Sequence, residues 1–266
     1  MDNAKRIIVI TGGFLLLFSS GHISGNIDYP GGSNSDRTPT TTKSVQAKTK
    51  SAKTVSNSTQ TKSKTVQKSP VTKPAGKSKD DGTVTIGTQK WALANLNAGT
   101  FRNGDSIPEA KTNKEWVAAG ESGKPAWCYY NNDPSNGPKY GRLYNWYALN
   151  DPRGLAPAGW ALSSDVDWAK VVSFLGGQSS AGRKMKSLTG WIDGNNGSNE
   201  CGFAGLPGGY RIENGLFQNL GNIGIWWSST ESKTLTAFDH YLTQGGSLDE
   251  SSSPKQRGES VRCLKQ

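Results

Sequence analysis

The sequence predicts an α+β domain rich in loops, set behind an export signal and a basic linker. Three observations carry this reading. All nine tryptophans lie at or after Trp91. Positive charge is concentrated in the other part: residues 1–80 hold 13 Lys and Arg against 4 Asp, whereas residues 81–266 hold 18 against 17 Asp and Glu. The last third runs from GWIDGNNGSNECGFAGLPGGYR (Gly190 to Arg211) through GIWWSST (Gly224 to Thr230). It alternates Trp, Gly, Asn and Ser, the texture of irregular loops pinned by aromatic anchors.

The first 25 residues read as a secretory signal. Lys5 and Arg6 form a positive n-region, Ile7 to Phe18 an apolar run, and Ser19, Ser20 and Gly21 the small residues that follow. As a helix that run rises about 18 Å, short of the roughly 30 Å of a bilayer's hydrocarbon core. It is therefore expected as an export signal rather than a permanent anchor, with no further transmembrane domain. Residues 26–80 are dominated by Ser, Thr, Lys, Gln and Pro. They hold too little apolar side chain to offset chain entropy, so a disordered linker is expected. Its charge suits loose attachment to anionic envelope polymers, or it serves as a plain solvated spacer.

The domain opens near Thr83. VTIGTQKWALANL reads as a strand, a turn at Gly87 and a second short strand carrying Trp91. TNKEWVAAG reads as a short helix, with Thr112 as cap and Glu115 three residues later. A strand is expected from Trp127 to Tyr130, followed by an Asn/Asp/Pro/Gly turn. A helix is expected between Tyr140 and Leu149, because Tyr144, Tyr147 and Ala148 share a face at helical spacing. The clearest helix follows, capped by Ser163 or Ser164, with Asp165 and Asp167 in its first turn. Trp168, Val171, Val172 and Leu175 form its apolar stripe, and Gly176 and Gly177 end it. Beyond Gly190 the pattern is short strands and turns. The tryptophans, with Phe174, Phe203, Phe217 and Phe238, are the expected core, each buried ring removing on the order of 150–250 Å² from water.

From Trp127 onward the chain resembles the Fibrobacter succinogenes major paralogous domain. The matching blocks are AWCYYNNDPSN, KYGRLYNWYAL, APAGWALSSDVDWAKVVSFLGG, AGRKMKSLTGWIDGNNGSNECGFAGLPGGYR, GLFQNLGNIGIWWSST and GESVRCLK, and the opening VTIGTQKWALANLN fits as well. The resemblance covers residues 83–265. It implies a C-type-lectin-like α+β fold, with two helices, small antiparallel sheets and long loops, in a protein secreted to or displayed on a Gram-negative envelope. The chain departs from the family pattern at Ala161 to Ser163, where GWHLP is usual, and at Cys201, where Tyr is common. The implied fold is shared with formylglycine-generating enzymes, which oxidise a peptide Cys with two active-site thiols. No such close thiol pair is visible near the C-terminus here.

Three cysteines remain, Cys128, Cys201 and Cys263. Cys263 pairs with Cys128 or with Cys201, or all three are buried thiols. Asp193, Asn195, Asn196, Asn199 and Glu200 make an oxygen-rich loop whose glycines let carbonyls converge, as Ca²⁺ requires, although the spacing is not that of an EF-hand. The same residues are also ordinary turn formers. Adjacent strand residues face opposite ways, so one of Trp226 and Trp227 is expected in the core. The other is then a platform for stacking a sugar, unless loops cover both. Trp191, Tyr210 and Arg211 extend that candidate rim, and Arg211 suits equally a donor to loop carbonyls.

Catalytic patterns are poor. Only His22 and His240 exist; His240 follows Asp239, but adjacent side chains diverge. Ser228 and Ser229 lack a nucleophile-elbow context, and no Lys-Ser/Thr follows the glycine runs. Arg183, Lys184 and Lys186 are read as a solvated helix face, too small a cluster for a nucleic-acid groove. The expectation is an exported, non-catalytic module that binds polysaccharide or a cell-surface protein. Two readings compete with it: an oxidase related to the formylglycine-generating enzymes, and a purely structural surface scaffold.

Overall fold

The computed structural model of the protein describes residues 81–266. The expected signal (1–25) and linker (26–80) lie outside the described residues. β1 (Thr83–Ile86) and β2 (Gln89–Ala92) form the expected hairpin, with Trp91 opposite Val84. α1 (Asn113–Glu121) begins with reciprocal capping. The Glu115 N–H donates to Thr112 Oγ1 at 3.2 Å, and Glu115 Oε2 accepts from the Thr112 N–H at 2.9 Å. β3 (Trp127–Cys128) is shorter than expected, and Tyr130 begins a 3₁₀ turn.

The helix expected between Tyr140 and Leu149 is broken into pieces. α2 (Gly137–Tyr140) is one turn, β4 (Leu143–Tyr144) pairs with β3, and α3 (Trp146–Leu149) is a second single turn capped by Asn145. Tyr144 leaves the helix because its backbone is claimed elsewhere. Its N–H donates to Glu259 O at 2.9 Å and its carbonyl accepts from Glu259 N at 3.1 Å. A tertiary pairing thus overrides a local periodicity.

β5 (Trp160–Leu162) leads into α4 (Asp165–Phe174), capped by Ser164, and α5 (Gln178–Met185) follows. There are therefore three helices of eight or more residues among the described residues, where the family resemblance implied two. Gly182 lets α5 lie against the 245–247 loop: a methyl there would collide with the Ser247 carbonyl, and the next N–H, of Arg183, bonds Gly246 O at 2.9 Å. β6 (Gly208–Arg211) and β7 (Phe217–Leu220) form a hairpin. β8 (Gly224–Lys233), β9 (Thr236–Leu242) and β10 (Leu248–Pro254) make an antiparallel sheet in the order β10-β9-β8. β11 (Cys263–Lys265) returns between β2 and β5, completing the sheet β1-β2-β11-β5. The architecture is α+β with small antiparallel sheets. Among the described residues no helix is long and apolar enough to cross a membrane.

Aromatic residues fill three clusters: one around Trp91, Trp168, Phe203 and Trp226, one around Trp127, Tyr144, Trp146 and Trp227, and one around Trp116, Cys128 and Tyr130. Of the expected core aromatics, Trp160, Phe217 and Phe238 are half-buried, and Phe174 is exposed, at 63%. It falls about a quarter turn off the buried Trp168–Val171–Leu175 stripe of α4. All three cysteines are free thiols. Cys128 and Cys263 lie in different clusters, and Cys201 borders the first. Burial pushes the thiols of Cys128 and Cys263 up to about 12, the opposite of what activates a thiolate.

Glu259 is fully buried, and neither carboxyl oxygen has a hydrogen-bond partner among the described residues. Arg257 Nη1 stops 3.8 Å away. Burial first, and nearby Asp239 second, raise the Glu259 carboxyl well above its ordinary range. The unfolded chain releases this proton near pH ~4.3, whereas the folded chain retains it. Folding therefore takes up a proton, and this contribution to stability declines as pH rises above the ordinary carboxylate value. Glu259→Gln is expected to stabilise the fold at neutral pH by about 1–2 kcal/mol, and to lose that advantage near pH ~4. Thermal unfolding followed by circular dichroism across this range checks it; a variant less stable at pH 7 would show a carboxylate that is usefully paired.

Candidate functional site

The structure takes most of the expected rim inward. Trp226 and Trp227 do face opposite sides of β8, yet both are wholly buried, because each side is covered. Trp226 packs edge-on to Phe203 at 5.3 Å, and its Nε1 donates to Asn95 Oδ1 at 2.8 Å. Trp227 enters the second cluster and donates from Nε1 to Tyr144 O at 2.8 Å. Neither ring can receive a sugar. Trp191 is also buried, its Nε1 donating to Ser187 Oγ at 3.1 Å and Gly205 O at 3.2 Å. Tyr210 alone among these aromatics is half-buried. Its hydroxyl bonds Gln218 Oε1 and Asn219 Nδ2, and the Arg257 guanidinium lies 4.1 Å over its ring.

Arg211 is the structural donor to loop carbonyls. Wholly buried, it donates to Gly215 O and Ala110 O, both at 2.9 Å, and to Asn113 Oδ1 at 3.2 Å, between the rings of Trp116 and Phe217. Lys186 corrects the reading of a solvated basic face. It ends α5 buried, its ammonium 4.1 Å over Trp191 and donating to Thr243 O at 2.8 Å. Arg262 and Lys255 repeat the arrangement. Arg262 donates to Ala92 O and Phe203 O, each at 2.9 Å, over the Phe203 ring. Lys255 donates to Thr234 O at 2.9 Å over Trp146.

In the expected cation loop the amide oxygens serve the loop itself. Asn196 Oδ1 accepts from the Trp191 N–H at 3.1 Å and Asn199 Oδ1 from the Ala204 N–H at 2.7 Å. Asn195 donates to Ile192 O, and Glu200 accepts from Ser198 Oγ at 3.2 Å. Asp193 is exposed in a left-handed turn, at φ 52°. These are the turn-forming roles the residue types also allow.

Two features escaped the sequence reading. His240 does have a carboxylate partner, but it is Asp165 rather than its neighbour Asp239. Its Nε2 lies 2.9 Å from Asp165 Oδ1, and its ring stacks on Trp168 at 4.9 Å. Burial lowers its pKa despite the opposing pull of Asp165. The two partners are 75 residues apart, and nothing in spacing could join them. The second feature is Trp160, half-buried where the other eight tryptophans are buried. It lines a cavity of about 180 Å³ with Asn95, Leu96, Asn97 and Pro157, and Lys265 Nζ stands 4.9 Å over its ring. A larger groove of about 530 Å³ runs beside α4, where Val166 and Phe174 are 64% and 63% exposed.

The contacts of Arg211 predict how it responds to substitution. Arg211→Met keeps the stem but leaves Ala110 O and Gly215 O without a donor, so a loss of about 3–5 kcal/mol is expected. Chemical denaturation measures it, and a loss below about 1 kcal/mol would show that the guanidinium is not a tie of the fold.

No curated protein and no solved structure matches the chain. The family model for the Fibrobacter succinogenes major domain matches residues 84–265, the whole folded region from β1 to β11. This chain belongs to the Fibrobacter succinogenes major domain family, a family of uncertain function.

Proposed function

We propose that residues 83–265 form an exported, non-catalytic recognition module of C-type-lectin-like kind. The 26–80 segment tethers it at the surface of a Gram-negative envelope, and carbohydrate binds at the cleft beside Trp160. One observation carries the assignment: a half-buried indole lines a small cavity together with Asn95 and the exposed Asn97. An aromatic face receives the apolar side of a sugar ring, and amides bond its hydroxyls. Asn95 is committed to the fold, donating to Tyr140 O at 2.8 Å and accepting from Trp226 and Arg262, so it fixes the cavity wall. The amide for a hydroxyl is that of the exposed Asn97, which makes one long bond of 3.4 Å to Gly137 O. The expected Ca²⁺ requirement remains attached to this proposal through the exposed carboxylates of Asp193 and Glu200.

A second reading is a protein partner at the cell surface. It is favoured by the exposed Val166 and Phe174 beside the larger groove.

Polysaccharide pull-down and a glycan array with the full chain, with and without EDTA, test the proposal. Retention on a glycan is expected, and Trp160→Ala is expected to weaken it at least tenfold, or about 1.4 kcal/mol, with little change in melting temperature. Equal retention by Trp160→Ala moves the ligand elsewhere. No retention on any glycan, together with thiol-dependent oxidation of a peptide Cys, would favour the oxidase reading.

A further inference from the structure

The sheet β10-β9-β8 carries a line of residues on one face. Trp226, His240 and Glu250 are directly opposed across its three strands, so their side chains project to the same side. α4 crosses this face. Trp168 covers Trp226 and stacks on His240, and Asp165, three residues earlier on the same side of the helix, meets the imidazole. The line therefore runs from a dry core at Trp226, through a buried imidazole, to an exposed carboxylate at Glu250.

At its outer end His240, Asp165 and Glu250 each offer a donor atom within 4.8 Å of the others. We propose that these three residues bind a divalent first-row metal ion of the Zn²⁺ type, with one coordination position open to solvent. The donor set is one nitrogen and two oxygens, matched to ions that accept imidazole and carboxylate together. Around a tetrahedral ion with bonds of about 2.0–2.1 Å, donor atoms lie about 3.4 Å apart. The His240–Asp165 pair at 2.9 Å opens by roughly half an ångström to meet this spacing. Glu250, exposed on the edge strand, closes by swinging inward.

Two ligands are already fixed. The imidazole is clamped by Trp168, and the Asp165 backbone N–H is held by Thr230 Oγ1 at 3.1 Å. Two carboxyl groups and an imidazole thus converge on one point, a mixed oxygen and nitrogen donor set of the kind a divalent cation accepts. The open position faces water, where a hydroxyl or carboxylate of a bound molecule can complete the shell. This site is built from residues other than those of the Trp160 cleft and the Asp193–Glu200 loop, and it stands whether or not the carbohydrate proposal does.

The test is titration of the full chain, stripped with EDTA and dialysed, with Co²⁺ read by its visible absorption. One equivalent should bind with the intense bands of a low-coordinate ion. Zn²⁺ should displace it and Ca²⁺ should not, since Ca²⁺ takes six to eight oxygens. Glu250→Gln and His240→Gln are each expected to weaken Co²⁺ binding at least roughly tenfold. Because His240 is buried, Glu250→Gln is the decisive variant, its fold checked by an unchanged melting curve. The proposal fails if no Co²⁺ bands appear, if Glu250→Gln binds as tightly as the parent, or if binding is lost instead in Asp193→Asn/Glu200→Gln.

Discussion

The fold depends on buried cations that serve loop carbonyls and aromatic rings at once. Long irregular segments carry unpaired backbone oxygens, and a segment that covers a hydrophobic cluster cannot leave them dry and unsatisfied. Lys186, Arg211, Lys255 and Arg262, none more than 6% exposed, answer this. Each donates to backbone carbonyls from distant parts of the chain and lies over a ring of Trp191, Trp116, Trp146 or Phe203. The ring face offers partial negative charge to a cation that has lost its water. The carbonyls complete the replacement. Taking away one such cation leaves several oxygens without a donor and a ring without its cover, so the loops it joins lose their reason to stay.

β8 is the complementary constraint. Trp226 and Trp227 obey the two-residue period of a strand, but the strand lies between two aromatic clusters, and both faces are internal. Each indole N–H finds an acceptor, Asn95 Oδ1 on one side and Tyr144 O on the other. Asn95 also accepts from Arg262 Nε at 3.0 Å. Strand and cation network are thus joined at one amide, which connects the loop after β2 to the two elements that close the domain.

Legibility in the sequence followed range. The Thr112–Glu115 box, the Ser164 cap and the glycines ending α4 were all readable, because each is decided within four residues. The family blocks carried the extent of the domain, and the α+β character followed from short alternating patterns. What failed was decided at a distance. Tyr144 leaves its helical period for Glu259, and Trp191 looks like part of a binding rim because an indole suits a sugar as well as a carbonyl, while for Arg211 the sequence left rim and carbonyl donor equally open and the fold takes the second. Composition names the chemistry a side chain can do; only tertiary position says whether its partner is a ligand or the chain itself. Trp160 shows the converse, since it sits in the GW block as one tryptophan of nine and nothing local marks it as the half-buried one.

That distinction bears on where recognition can occur in such a domain. A scaffold that turns nearly every tryptophan and several cations inward has committed its strongest contact chemistry to rigidity. What this leaves near the surface is an indole lining the small cavity that β2 and β5 share and a carboxyl group on an exposed sheet edge, the two places proposed above for a ligand. Rigid loops make such sparse sites workable, because a ligand meeting a fixed ring or a fixed imidazole does not have to order the protein. On the proposed function, the interior network and the surface groups are two sides of one arrangement, in which the residues that hold the loops still would let a few exposed groups discriminate.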